Sequence, residues 1–224
     1  IMPRLVGSEM CIRDSGYIGT ELCKIYSGYS WNDKITVIDN RFISERVNQI
    51  RNWNMNFVQG DILDKELIKK YCHDVDIVHH LAGITDVPRV KSESSENKNR
   101  LITRVAEEGT QNILDAIDNK CKIIMPSSHV VFEGIENVKM NISEDEKVNP
   151  VLSYGKSKAI NEEQLKRSGK NYIILRLGSV YGYSSDTARI DIMANYFAKT
   201  ASQDGTLRLF AGGKQLKSLV PLID

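Results

Sequence analysis

Short runs of β-branched and other apolar residues alternate along this chain with longer stretches in which apolar positions recur every three or four residues. The short runs, at residues 34–38, 57–59, 75–79, 121–125 and 172–175, predict strands. The longer stretches, at 43–52, 65–71, 103–117 and 151–167, predict amphipathic helices. Such alternation implies parallel strands joined by helical crossovers. Ile35-Thr36-Val37-Ile38 and Ile173-Ile174-Leu175 are almost wholly apolar, as strands covered on both faces should be. The expected fold is α/β, a Rossmann-type doubly wound parallel sheet. Residues 92–99, rich in Ser, Glu, Asn and Lys, suit a solvated loop or the start of the following helix.

The 224 residues, 41% hydrophobic, suffice for one substantial core and one domain. Thirty Lys and Arg against 29 Asp and Glu leave a net charge of +1 with no basic run, which argues against nucleic acid as a partner. Cys11, Cys23, Cys72 and Cys121 lack zinc-finger or disulfide spacing, so a reducing cytoplasm is expected. No apolar run approaches the ~18 residues of a membrane span, and no signal-peptide order opens the chain, so no membrane partner is expected.

A dinucleotide-binding unit needs a strand, a glycine turn and a helix whose N-terminus favours a pyrophosphate. Gly16-Tyr17-Ile18-Gly19 suits the end of such a turn, and only this later half is legible. Asp39 ends the second predicted strand about 20 residues further on, where a carboxylate can accept both adenosine ribose hydroxyls and repel a 2′-phosphate. NAD is thereby favoured, although Val37-Ile38-Asp39-Asn40 equally suits a plain strand exit and Arg41 leaves room for NADP. His79 and His80 are adjacent on a strand and should point to opposite faces, so no metal site is expected.

Tyr154 and Lys158 stand four residues apart on a predicted helix, so their polar ends share one face. Tyrosine ordinarily titrates near ~10, and a base for a substrate hydroxyl needs a neighbouring cation to lower it. Lys158, together with the positive nicotinamide, supplies that charge, whereas an ordinary amphipathic helix with exposed Tyr and Lys is the alternative.

Taken together, these segments resemble the NAD-dependent epimerase/dehydratase family of extended short-chain dehydrogenases/reductases over roughly residues 16–224. Gly16-Tyr17-Ile18-Gly19 is similar to its glycine turn, Gly60-Asp61-Ile62 to its adenine contact, and His80-Leu81-Ala82-Gly83 to the end of its fourth strand. Pro126-Ser127-Ser128 resembles its fifth strand end, Tyr154-Gly155-Lys156-Ser157-Lys158 its Tyr-x-x-x-Lys, and Leu175-Arg176-Leu177-Gly178 the segment beside the nicotinamide. The resemblance implies a catalytic triad of Ser128, Tyr154 and Lys158. It implies cofactor contacts from Gly16, Tyr17, Ile18, Gly19, Asp39, Asn40, Asp61, Ile62, Leu81, Ala82, Gly83 and Gly178. It further implies NAD-dependent epimerisation or oxidation at a hydroxylated carbon, with a nucleotide-sugar as the small-molecule substrate and a homodimer built on helices 103–117 and 151–167.

Several positions depart from the family pattern. Arg13 stands at the first turn glycine, Ala106 at a usual Asn, and Ser179 and Tyr183 at a usual Asn and Pro. His129 and Val130 occupy the Asp-Glu positions of sugar-nucleotide dehydratases, which disfavours dehydration; His129 is expected to pack or face solvent rather than act as an acid or base. Residues 5–15 resemble translated adapter sequence of the kind found at the ends of metagenomic reads, so 1–15 is expected to be a non-native scar, with 16–206 the cofactor domain. Residues 207–224 resemble a hairpin-like entry into a substrate lobe that is expected to be truncated. Alternatives are an NADP-dependent reductase of the steroid or flavonoid type, a non-catalytic dinucleotide-binding Rossmann module, and a truncated product without activity.

Overall fold

The computed structural model describes residues 9–13, 15–30, 32–85, 95–184, 189–214 and 216–224. Residues 1–8 and 14 of the expected scar, and 92–94 of the expected loop, lie outside the described residues.

Six parallel strands form the main sheet: β1 (Met10–Arg13), β2 (Ile35–Asp39), β3 (Asn56–Gln59), β4 (Ile77–His80), β5 (Lys122–Ser128) and β6 (Asn171–Leu177). Their order is β3-β2-β1-β4-β5-β6, with crossovers through α1 (Tyr17–Tyr26), α2 (Ser44–Asn52), α3 (Lys65–Cys72), α4 (Glu96–Ala116) and α5 (Ser153–Arg167). This is the doubly wound Rossmann order, and it reverses between β1 and β4, where such sheets open a crevice at their strand C-termini.

Two apolar clusters cover the two faces of the sheet. On one side Met10, Ile12, Ile35 and Val37 pack with Cys23, Tyr26, Val47 and Ile50 of α1 and α2. On the other Cys11, Ile38, Val78 and Ile123 pack with Ile68 and Cys72 of α3, Ile113 of α4 and Leu165 of α5. Alternate residues of β1 thus enter opposite cores, as strand geometry requires.

Three expectations need correction. A first strand does exist: Met10–Arg13, inside the segment read as a scar, pairs with β2 from Met10↔Ile35 and with β4 from Met10↔Ile77. Met10, Cys11 and Ile12 are apolar and buried, so they fill the slot between two strands whose edges would otherwise stay unpaired. Next, Ile173 and Leu175 are not enclosed on both faces. They are 40% and 42% exposed, because β6 is the sheet's edge and only Ile174 packs against the core. Finally, α4 begins at Glu96 rather than near 103. Ser95 caps it, its hydroxyl accepting from the Lys98 amide at 3.3 Å.

Beyond β6 the chain forms β7 (Ser179–Tyr181), α6 (Met193–Ser202) and β8 (Leu219–Pro221). β8 pairs with β7 in parallel, not as a hairpin, since the chain crosses over through α6 before returning. Among the described residues, no helix is long and apolar enough to cross a membrane.

Candidate active site

A cleft of about 1960 Å³ opens along the C-terminal ends of the strands. That exceeds the roughly 300–1,000 Å³ of an ordinary small-ligand pocket, leaving room for a dinucleotide and a second molecule. All the catalytic and cofactor residues implied by the resemblance line it.

At one end Gly16, Tyr17, Ile18 and Gly19 start α1. Gly16 is the N-cap and brings no side-chain oxygen to the first-turn amides, and that turn holds no acidic residue. A helix start without a side-chain cap or acid fits an anion such as a pyrophosphate. The Tyr17 hydroxyl is committed elsewhere, donating to the Gly182 carbonyl at 2.5 Å.

Asp39 is only 7% exposed, and its carboxylate is engaged by the turn itself. Oδ2 accepts from the amide and hydroxyl of Ser15, and Oδ1 from the Arg41 amide at 2.8 Å. The turn-forming bond to Arg41 is what a plain strand exit predicts, and it coexists with a place on the cleft wall. Asn40 donates to Asp61 Oδ2 at 3.3 Å, while Asp61 Oδ1 accepts from the Leu63 amide at 2.9 Å, so the two strand ends brace each other. Behind them Asn112 of α4 donates to the Ile62 carbonyl at 3.1 Å. Gly109 lets α4 approach, since a Cβ there would meet Ile62 side-chain carbon at 2.8 Å.

Leu81, Ala82 and Gly83 follow β4 along the cleft. The two histidines before them do point apart. His79 meets the Tyr26 hydroxyl of α1 at 3.0 Å, and His80 meets Thr110 of α4 at 2.8 Å on the other face. Asn161 of α5 completes that second cluster by donating to Thr110 at 2.7 Å and to the Ala106 carbonyl at 2.8 Å.

Ser128 ends β5 and Tyr154 lies in the first turn of α5; both line the cleft, and the Ser128 hydroxyl helps to lower the pKa of the phenol. The Thr85 side chain acts on the phenol in the same direction; the motif His80-Leu81-Ala82-Gly83 ends two residues before it, so its sequence position gives no signal. The helix can come this close because residue 155 is glycine: a Cβ there would stand 2.9 Å from the Val130 carbonyl oxygen. Lys158 Nζ lies 5.8 Å from the Tyr154 ring centroid and donates to the Pro126 carbonyl at 2.9 Å. Gly178 faces the same space, and its lack of a Cβ permits the approach of Ser218, whose carbonyl oxygen would stand 2.7 Å from one.

In the protein alone, burial pushes the Tyr154 phenol above its ordinary value of 10, against Arg189, whose charge pulls it down, and the hydroxyls of Ser128 and Thr85. The expected lowering by neighbouring cations is therefore outweighed by desolvation. His129, expected to pack or face solvent, is half-buried on the cleft wall, with Nδ1 donating to the Leu177 carbonyl at 3.1 Å. Arg189 was not anticipated either. It is fixed by Asp191, with Nη2 at 2.8 Å from Oδ2.

Residues 14–221 match the model of the NAD dependent epimerase/dehydratase family. The chain is 28% identical over 217 residues to the UDP-glucose 4-epimerase of Lactobacillus helveticus, a match covering 90% of this chain and 62% of that one. It thus spans about three fifths of the length of that relative. Among solved structures, a mutant UDP-glucuronic acid 4-epimerase from Bacillus cereus, in complex with UDP-4-deoxy-4-fluoro-glucuronic acid and NAD, superposes with a TM-score of 0.79. Identity there is 24%, and the match covers 96% of this chain and 69% of the other. The UDP-N-acetylglucosamine 4-epimerase from Methanobrevibacter ruminantium M1, in complex with UDP-N-acetylmuramic acid, gives 0.77 at 23% identity over the same shares. The family match runs from the first turn to β8 and takes in every wall of the cleft, and the chain belongs to the NAD dependent epimerase/dehydratase family.

Proposed function

We propose that this chain carries the cofactor site and catalytic residues of an NAD-dependent epimerase or oxidoreductase acting on a hydroxylated carbon of a nucleotide-sugar. The observation that carries the reading is the convergence of Ser128, Tyr154 and Lys158, with Lys158 Nζ 5.8 Å from the Tyr154 ring centroid, in the same cleft as the glycine-led start of α1. A non-catalytic dinucleotide module has no need of that constellation.

NAD, when bound, supplies the hydride acceptor and, for an epimerase, its return. The α1 N-terminus would hold the pyrophosphate, Asp39 an adenosine ribose hydroxyl, and Asp61 with Ile62 the adenine. Ser128 orients the substrate hydroxyl, and Tyr154 takes its proton as the carbon beneath becomes a ketone. Lys158, held to the end of β5, keeps a positive charge beside the phenol, which favours its ionised form. Relatives that act on UDP-sugars support the substrate class. Pairing of two copies across α4 and α5 belongs to the same reading. The outward faces of those helices carry Arg104–Glu108 and Arg167–Glu163 ion pairs, so such a dimer would be polar and salt-sensitive.

The test is titration of NAD and NADP into the chain and into Tyr154→Phe, with hydride transfer followed on UDP- and dTDP-sugars. NAD binding to both, with turnover lost in the variant by a factor of about 10² or more, supports the reading. If neither dinucleotide binds, the reading is overturned.

A further inference from the structure

We infer that Glu162, gripped by Arg176, is a positioning residue that sets the Ser128–Tyr154 pair; the inference deepens the reading above and rests on it. The last three residues of β5 dock onto three residues of one helix. Pro126 offers its carbonyl to Lys158 at 2.9 Å, the Ser127 hydroxyl donates to Glu162 Oε1 at 2.5 Å, and Ser128 shares the cleft wall with Tyr154. Tyr154, Lys158 and Glu162 are spaced by four, so they stack along one face of α5. Two of these contacts belong to the proposed chemistry. Glu162 alone does not line the cleft.

Glu162 is 2% exposed and held in a fork by Arg176 of β6, with Nε at 3.0 Å from Oε1 and Nη2 at 2.7 Å from Oε2. The same guanidinium donates through Nη1 to the Glu144 carbonyl at 2.8 Å and lies 5.0 Å from the centre of the Phe132 ring. One ion pair therefore joins the end of β5, the edge strand β6, helix α5 and the chain between Phe132 and Glu144, which itself lines the cleft. Burial raises the Glu162 pKa, but hydrogen bonds from Arg176 and Ser127 and the Arg176 charge outweigh it, so the carboxylate stays ionised.

A buried ion pair is a costly way to gain stability, since apolar residues of the same volume often serve as well or better. What it adds is a fixed direction. A short bond to a carboxylate that Arg176 holds in place fixes the Ser127 side chain, and with it the peptide that aims the next side chain, Ser128, at the phenol.

The test reads Tyr154 directly. Its ionisation is followed by ultraviolet difference titration, isolated by subtracting the Tyr154→Phe variant, in the unchanged chain, in Ser127→Ala and in Glu162→Gln. Loss of the aim takes the Ser128 hydroxyl away from the phenol, so both substitutions are expected to move the Tyr154 midpoint to higher pH. A shift of about one unit corresponds to a tenfold change in ionisation. Where a sugar substrate turns over, kcat is expected to fall about tenfold with KM and NAD affinity within about twofold. Ser127→Ala removes only a hydroxyl and keeps the experiment decisive if Glu162→Gln does not fold. A lowered melting temperature with an unmoved Tyr154 titration makes the pair merely structural and overturns the inference. Absence of turnover in the unchanged chain counts against the function proposed above and leaves the titration to decide this one.

Discussion

The hydroxyl of Ser15 donates to Asp39 Oδ2 at 2.7 Å, and the amide of the same residue reaches that oxygen at 2.8 Å. With Arg41 on Oδ1, three of the roughly four acceptor sites of a carboxylate are taken before any ligand arrives. Asp39 can then accept one ribose hydroxyl, not two. Ser15→Ala returns a site on Oδ2, and since a hydrogen bond is worth about 0.5–1.5 kcal/mol net, NAD should bind about 2- to 10-fold tighter. NADP, whose 2′-phosphate is repelled by the carboxylate, should gain nothing. Calorimetric titration of both dinucleotides checks this, and equal gains for the two would remove Asp39 from the ribose site.

Arg189 places a positive charge that opposes the effect of burial at Tyr154. A base works when deprotonated, so activity should be present above the Tyr154 pKa and lost as the pH falls below it. Arg189→Gln withdraws a positive charge, which raises the phenol's pKa further and carries the rise in kcat/KM to higher pH. An unmoved pH profile would mean that the residue setting the profile is not Tyr154.

Much of the sheet could be read in advance because its strands are dense in β-branched residues, as at Ile35-Thr36-Val37-Ile38, where period and composition agree. The start of α4 could not. Glu96-Asn97-Lys98-Asn99-Arg100 has no apolar stripe, and only the Ser95 cap marks the boundary. Exposure of β6 was equally hidden, since an edge strand and a central one can share the same apolar run until strand order is known. At the site, Tyr154 and Lys158 announce themselves by their spacing. Thr85, Glu162 and Arg189 act across long separations, where no local pattern signals that they converge.

His79 makes stability depend on pH. Burial lowers its pKa from 6.5 to about 4, because the strand face beside Tyr26 is dry and disfavours the imidazolium. The unfolded chain binds this proton first, so the stability of neutral His79 is complete above pH 6.5 and is lost as the pH falls from there through about 4. A displacement of that size is worth on the order of 3 kcal/mol. Urea unfolding between pH 7 and 4 should show the decline, and His79→Gln, which keeps a hydrogen-bonding partner for Tyr26, should flatten it. An equally steep decline in the variant would place the acid sensitivity in other groups.

Gly155 tests whether the closeness of α5 to the end of β5 matters to the chemistry. A Cβ added there would stand 2.9 Å from the Val130 carbonyl oxygen and 3.1 Å from Pro150 Cβ, and backbone on one side with a rigid ring on the other leaves little room to yield. Gly155→Ala should therefore push the first turn of α5 outward by a few tenths of an ångström at a cost of about 1–3 kcal/mol, the usual range for overpacking. Alanine favours helix over glycine by roughly 0.8–1.0 kcal/mol, which offsets part of that loss in the melting temperature. The helix preference does nothing to restore Tyr154 to Ser128, however, so kcat should fall more than stability does. Thermal melting measured beside single-turnover kinetics separates the two. A variant that melts lower yet turns over at the original rate would show that the Tyr154–Ser128 contact tolerates displacement and that Gly155 serves packing alone.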